Sequence, residues 1–252
     1  MDYSIVKHIL EMDELFHNHI NYSSDNINFY DERLFKIDTR FCHNDHKPNV
    51  CVKDYTTTEA IIKCRLIADT VKICALNFAN FLTPGGGYLT GCHAQEETIC
   101  GDSTLYNILN RNSDWYDVNA NRVNGGLFVN RAMYIPKVMF TNPMLAECDI
   151  LTVAAPDVNM CKTNHRGEAQ VHDALVERIK FIKDILEMEG VSIAILGAFG
   201  CGAFKNDPYD VAFIFKDVFS NTSISNILYA IPTFGNKDKT NHYIFKEVME
   251  KE

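Results

Sequence analysis

Apolar and polar positions alternate between two rhythms from about residue 49 onward. Short apolar runs at residues 50–52, 71–79, 133–140, 150–155, 191–197 and 227–231 have the length expected of buried strands. Segments with helical spacing stand between them. Thr56, with Glu59 three positions on, is a capping-box signature that opens a helix through Ala60, Ile61, Ile62, Leu66 and Ile67. Residues 167–189 form the longest helical stretch, with Val171, Leu175, Ile179, Ile182, Ile185 and Leu186 on one apolar stripe. Further helices are predicted from Gln95 through Leu105 and Leu109, from Asp207-Pro208 to Val218, and over 243–249. Pro136 inside an apolar run marks an edge strand or a bulge. The first 50 residues predict less: a helix over 5–16, then irregular structure through Asn21-Tyr22-Ser23-Ser24-Asp25-Asn26. Residues 112–130, rich in Asn, Asp and Gly, read as a loop.

Strands alternating with helices predict an α/β fold with a mixed or parallel sheet covered on both faces. No internal repeat, low-complexity tract or linker divides the chain, and 252 residues at 46% hydrophobic content suffice for one core. One domain is therefore expected.

The formal net charge of −9 argues against a sequence-specific nucleic-acid binder. It leaves room for an anionic ligand, because backbone amides hold phosphate without basic side chains. The nine cysteines include no Cys-x-x-Cys pair, and several lie in apolar runs, so they read as reduced thiols of an intracellular protein. Residues 1–19 lack the apolar core of a signal peptide, and no apolar run reaches the roughly 18 residues that span a bilayer. Cys42, His43, His46 and Cys51 stand close together but match no common zinc spacing, so no metal is expected.

Two glycine-rich segments follow apolar runs. The first is Gly85-Gly86-Gly87, and after a seven-residue gap come Gln95-Glu96-Glu97 at a predicted helix start. Three consecutive glycines are costly in backbone entropy and make sense where the chain takes positive φ or closely approaches a ligand. Taken alone, the glutamates read as ordinary partners of a helix dipole. The second segment, Gly197-Ala198-Phe199-Gly200-Cys201-Gly202, also follows an apolar strand and frees amides to point at one anion. Two such loops at strand ends of one sheet point to a phosphate-bearing ligand between them. His93 near the glutamates reads as a polar loop residue, and Cys201 as a backbone position. Residues 164–166 read as a cap for the long helix, with Arg166 open to a phosphate.

These segments, together with Leu76-Asn77-Phe78-Ala79, Ser103-Thr104-Leu105-Tyr106 and Asn206-Asp207-Pro208, resemble the microbial-type poly(ADP-ribose) glycohydrolases, a catalytic branch of the macrodomain fold. The matches run in the family's order from about residue 50 to 250. The resemblance implies a macrodomain-like three-layer α/β/α sandwich with a mixed central sheet, residues 1–48 forming a helical extension packed on it. It implies Glu97 as catalytic acid/base and Glu96 as the acid that grips ribose hydroxyls. Gly85, Gly86 and Gly87 match the catalytic loop, and Gly200, Cys201, Gly202 and Ala203 the diphosphate loop. Phe204 matches an aromatic that positions the terminal ribose, and Asn80 the asparagine that touches ribose in many macrodomains. Gln95, in the same signature, is counted with the substrate-binding residues. The chain departs from the family at Ile135-Pro136, where relatives have Ser-Pro, at Cys100-Gly101-Asp102, and at Phe199, often tryptophan.

Glycoside cleavage needs a proton for the leaving oxygen, support for an oxocarbenium-like centre and an activated water. Neighbours on a helix point about 100° apart and do not easily flank one bond, so the economical scheme gives both proton transfers to Glu97. The expected activity is hydrolysis of ribose–ribose bonds in poly(ADP-ribose), without cofactor, by a soluble cytoplasmic or nuclear monomer acting on modified proteins. The residues leave open a mono(ADP-ribosyl) hydrolase and a non-catalytic ADP-ribose reader. The intact glutamate pair argues against the reader.

Overall fold

The computed structural model describes residues 3–32, 47–234 and 241–251. Its frame is a seven-stranded mixed sheet. In chain order the strands are β1 (Asn28–Asp31), β2 (Asn49–Lys53), β3 (Ile73–Phe78), β4 (Arg131–Phe140), β5 (Ala146–Val153), β6 (Ile193–Leu196) and β7 (Asn226–Ala230). Their spatial order is β1-β4-β5-β3-β6-β7-β2, parallel from β5 through β2 and antiparallel where β4 meets β1 and β5. The predicted mixed sheet is thus present.

Strand alternation explains the layers. Cys74, Leu76, Ala194, Leu196, Ile227 and Tyr229 face one core, covered by α7 (Glu168–Met188), α8 (Pro208–Val218) and α9 (Asn241–Glu250). Ile73, Ala75, Ile195, Leu228 and Ala230 face the other. That side is covered by α1 (Tyr3–Asp25), α2 (Thr57–Ile67), α3 (Gln95–Asp102), α4 (Leu105–Arg111) and α5 (Asp114–Ala120). A short helix, α6 (Val158–Thr163), follows β5. The Thr56–Glu59 capping box forms as predicted, each partner accepting from the other's backbone N–H.

The differences from the sequence reading have local causes. Helix α1 runs beyond residue 16, where Phe16 kinks it, through the polar run to Asp25. Ile20 and Ser23 face inward there, and the Ser23 hydroxyl donates to Lys137 O. The predicted helix from Gln95 to Leu109 is two helices. Ser103 turns extended between them, its hydroxyl donating to Ile99 O and accepting from Leu105 N–H. Residues 112–130 are not a plain loop: α5 buries Trp115 and Tyr116. Pro136 lies at a bulge in an interior strand, where the register shifts between Ile135 and Val138. Asp149 satisfies the bulge by accepting from Lys137 N–H (2.9 Å) and the Tyr134 hydroxyl (2.6 Å). Within residues 1–48, β1 enters the sheet itself beside β4. Cys42, His43 and His46 lie outside the described residues. Among the described residues, no helix is long and apolar enough to cross a membrane.

Candidate active site

The carboxyl ends of β5, β3, β6 and β7 lie side by side, and both glycine segments leave from them. After β3, the Asn80 side-chain oxygen accepts from Leu82 N–H (2.8 Å) and Thr83 N–H (3.0 Å), starting the turn. Gly85 and Gly86 take φ of +65° and +57°, a conformation that glycine adopts without strain. The chain then closes on itself through Tyr88 N–H to Gly85 O and Cys92 N–H to Gly87 O.

Helix α3 begins just beyond, on Ala94, whose side chain offers no cap. Glu97 supplies the missing acceptor. Its Oε2 accepts from Ala94 N–H (3.1 Å), and its Oε1 reaches across to Gly87 N–H (2.8 Å). The carboxylate that caps the helix is therefore fixed against the glycine loop, half-buried. Glu96 turns the other way, into the sheet, and is 3% exposed. Its Oε1 accepts from Asn77 Nδ2 (3.1 Å) and its Oε2 from Asn80 N–H (2.7 Å). The two side chains leave the helix in different directions but converge on one backbone atom. A Cβ at Gly86 would lie 2.7 Å from Glu97 Oε1 and 3.0 Å from Glu96 Oε2.

Burial pushes the Glu96 carboxyl up to about 8, partly offset by its bonds to Asn80 and Asn77 and raised further by Glu97. The unfolded chain, with an ordinary value of 4.5, releases this proton while the folded one keeps it. Stability from Glu96 is thus intact below about pH 4.5 and lost as pH rises through about 8, on the order of 5 kcal/mol. Glu96→Gln, neutral throughout, should escape that loss. Thermal melts between about pH 5 and about pH 8.5 should show the variant gaining on the native protein as pH rises, at roughly 2–4 °C per kcal/mol. A constant gap would mean that this carboxyl is not buried as an acid.

The Gln95 amide is committed to the sheet. Nε2 donates to Leu76 O (2.8 Å) and Thr57 Oγ1 (3.1 Å), and Oε1 accepts from Phe78 N–H (2.9 Å). It pins the start of α3 to the end of β3.

The second loop joins β6 to α8. Gly200 has φ of +72°, and a Cβ there would lie 2.5 Å from both Ala155 Cβ and Asn206 Nδ2. Asn206 holds the curve, donating from Nδ2 to Pro156 O (2.8 Å) and Gly200 O (3.0 Å). The N–H groups of Gly202, Ala203 and Phe204 donate to no acceptor among the described residues. Asp207 takes the first amides of α8, those of Tyr209 (2.9 Å) and Asp210 (3.0 Å), so an anion's donors here are the loop amides. The Cys201 thiol is pushed up by burial, which keeps it in the unreactive protonated form. Phe204 packs on Phe128, which stacks on Phe81 just after Asn80, linking the two loops. Gly200→Ala meets packed side chains and a left-handed φ. The expected cost is about 2 kcal/mol or more, with affinity for a diphosphate-bearing ligand lowered at least about tenfold through distortion of the loop amides. Melting and calorimetry check both.

A cleft of about 590 Å³ runs from the first turn of α3 along this loop to the ends of β2 and β7. Thr56 and Thr57, beside Gln95, residues 232–234, Phe78 and Phe199 also line it. Sequence reasoning took Thr56 only as a cap and passed over Pro232, Thr233 and Phe234. Their position after an apolar strand next to the second loop's strand was the available signal. His93 is exposed on the cleft rim. Residues 164–166 do not cap α7: Gly167 holds that position, its N–H donating to Gln170 Oε1. Arg166 donates to Asn124 Oδ1 at 3.1 Å.

A family model, microbial-type PARG, catalytic domain, matches residues 10–142, more than half the chain. Among solved structures, poly(ADP-ribose) glycohydrolase from Thermomonospora curvata superposes with a TM-score of 0.84 at 21% identity, covering 98% of this chain and 100% of that one. The same enzyme bound to the inhibitor ADP-HPD gives 0.83 at 22%, covering 98% and 99%. The Deinococcus radiodurans enzyme in complex with ADP-ribose gives 0.82 at 25%, covering 92% and 97%. No curated protein matches the chain.

Proposed function

The chain belongs to the microbial-type poly(ADP-ribose) glycohydrolase family and is a glycosidase-type hydrolase of poly(ADP-ribose); from that premise we propose that Glu97 is the acid/base of the reaction and Glu96 the group that holds the terminal ribose. The observation that carries this is the placement of Glu97, fixed by the amides of Gly87 and Ala94 at the rim of the glycine loop, with the Glu96 carboxyl brought against Gly86 beside it.

In the proposed complex the diphosphate lies on the free amides of Gly202, Ala203 and Phe204. The base extends toward Thr56, Thr57 and Phe234, and the terminal ribose rests between Gly86 and Phe204. Glu97 gives its proton to the 2′ oxygen of the departing unit as the bond from that oxygen to the ribose C1″ breaks. The negative diphosphate supports the oxocarbenium-like carbon. Water then adds to C1″ and its proton returns to Glu97, leaving free ADP-ribose and a polymer one unit shorter. Asn80 shapes both ends of this arrangement, through its backbone to Glu96 and its side chain to the loop, and Gln95 holds the helix that carries the pair. One chain supplies every group named, so a monomer suffices. We place the substrate on modified proteins inside the cell.

The test compares ribose-linked polymer with mono-modified protein as substrates. Free ADP-ribose from the polymer is the expected result. Release from the mono-modified protein alone would reassign the bond. Binding of ADP-ribose with no release from either would make the chain a reader.

A further inference from the structure

Strand β3 breaks its own pattern. Its residues toward the α1–α5 layer run Ile73, Ala75, Asn77, and the last is a carboxamide with no exposed surface, where alternation calls for an apolar side chain. A buried amide costs free energy unless its polar atoms are met, and Asn77 is only half met. Its Nδ2 donates to Glu96 Oε1 (3.1 Å) and to Thr152 Oγ1 (3.4 Å) on its register partner in β5. Its Oδ1 is buried and has no partner among the described residues.

Thr152, Asn77 and Glu96 thus form a buried chain in which each member can reverse its polarity. A hydroxyl donates or accepts, a carboxamide presents either end after a half-turn, and a carboxyl gains an O–H when protonated. With Nδ2 toward Glu96, the chain serves the ionised carboxylate. After a half-turn, Oδ1 accepts from the protonated carboxyl and from the Thr152 hydroxyl. The other partner of Glu96, the Asn80 N–H, can only donate.

We propose that Asn77 is a positioning residue for the hydrolysis, its buried amide holding the Glu96 carboxyl against Gly86 in both of that carboxyl's protonation states. This rests on the assignment of Glu96 to the ribose. The titratable groups that face Glu96 are Glu97 and Cys100 from α3 and Tyr116 from α5. None of them hydrogen-bonds it among the described residues, so Asn77 is the partner able to follow the proton.

The experiment uses the near-isosteric Asn77→Leu and Asn77→Asp. It measures kcat and KM on polymer, ADP-ribose affinity by calorimetry, and the Glu96 carboxyl titration by ¹³C NMR, assigned with Glu96→Gln. For Asn77→Leu, kcat should fall at least about tenfold, affinity should change less than about fivefold, and the Glu96 titration should move up by roughly one pH unit as its carboxylate loses a donor. Asn77→Asp shares a proton with Glu96, so it should recover activity near about pH 6 and lose it by about pH 9, when two adjacent carboxylates repel. Unchanged kcat and titration in Asn77→Leu, whatever its melting temperature, overturn the proposal. If that variant does not fold, Thr152→Val must move the same titration, and no movement overturns it equally. The titration is read on the free protein. A shifted titration without turnover of polymer therefore counts against the proposed reaction and not against the hold of Asn77 on Glu96.

Discussion

Glu97→Gln should fold, bind ADP-ribose and release it from poly(ADP-ribose) about 10²–10⁴ times more slowly. The amide retains the size and reach of the acid but can neither give a proton to the leaving oxygen nor take one from water. Its structural cost is readable in advance. Both Glu97 oxygens accept from backbone N–H groups, those of Gly87 and Ala94, and a carboxamide can accept at only one end. One bond is lost, about 1 kcal/mol, a few degrees of melting temperature at most for a chain of this length. Release from labelled polymer, calorimetry with ADP-ribose and a thermal melt together separate chemistry from folding. Turnover at the native rate would remove Glu97 from the mechanism.

Gly86→Ala should do nearly as much damage from a residue with no functional group. A Cβ at Gly86 would meet the far ends of two flexible side chains, which can move aside, so packing itself is cheap to restore. Those ends are Glu97 Oε1 and Glu96 Oε2, however, and moving them moves the site. The left-handed φ adds about 1–2 kcal/mol. A displacement of about 1 Å in a reacting group costs on the order of 10² in rate. The expected result is therefore about a hundredfold fall in kcat with a melting temperature lowered by only a few degrees. Gly200→Ala should show the opposite balance, since Ala155 cannot swing away. Equal rate losses in the two variants would contradict the convergence of both glutamates on Gly86.

Much of this site was legible because it is written in unusual local residues. The triple glycine and the second glycine run depart from ordinary strand or helix composition, and departures of that kind point to close backbone approach, while the paired acids, ordinary at a helix start, gained meaning only beside them. Segments whose form depends on distant contacts were less legible. The polar run at residues 21–25 is helical because Ser23 reaches Lys137, more than a hundred positions away. Ser103 breaks a helix that local spacing would continue, and its neighbour Thr104 is tied to Met139 across the fold. Helix α5 hides in an Asn-rich stretch because Trp115 and Tyr116 find a core there. Asn77 is the intermediate case. It stands visibly out of pattern in β3, yet only its depth and its orphaned oxygen show that the anomaly has a partner.

The groups that hold Glu97 are the peptide nitrogens of Gly87 and Ala94, and those free to meet an anion belong to Gly202, Ala203 and Phe204. Chain path therefore sets these donors, and most of the side chains attached to them play no part in the bond. The machinery is heritable as a curve more than as an alphabet. A chain path of this kind can be reached by many sequences, which accords with an architecture shared at only 21–25% identity.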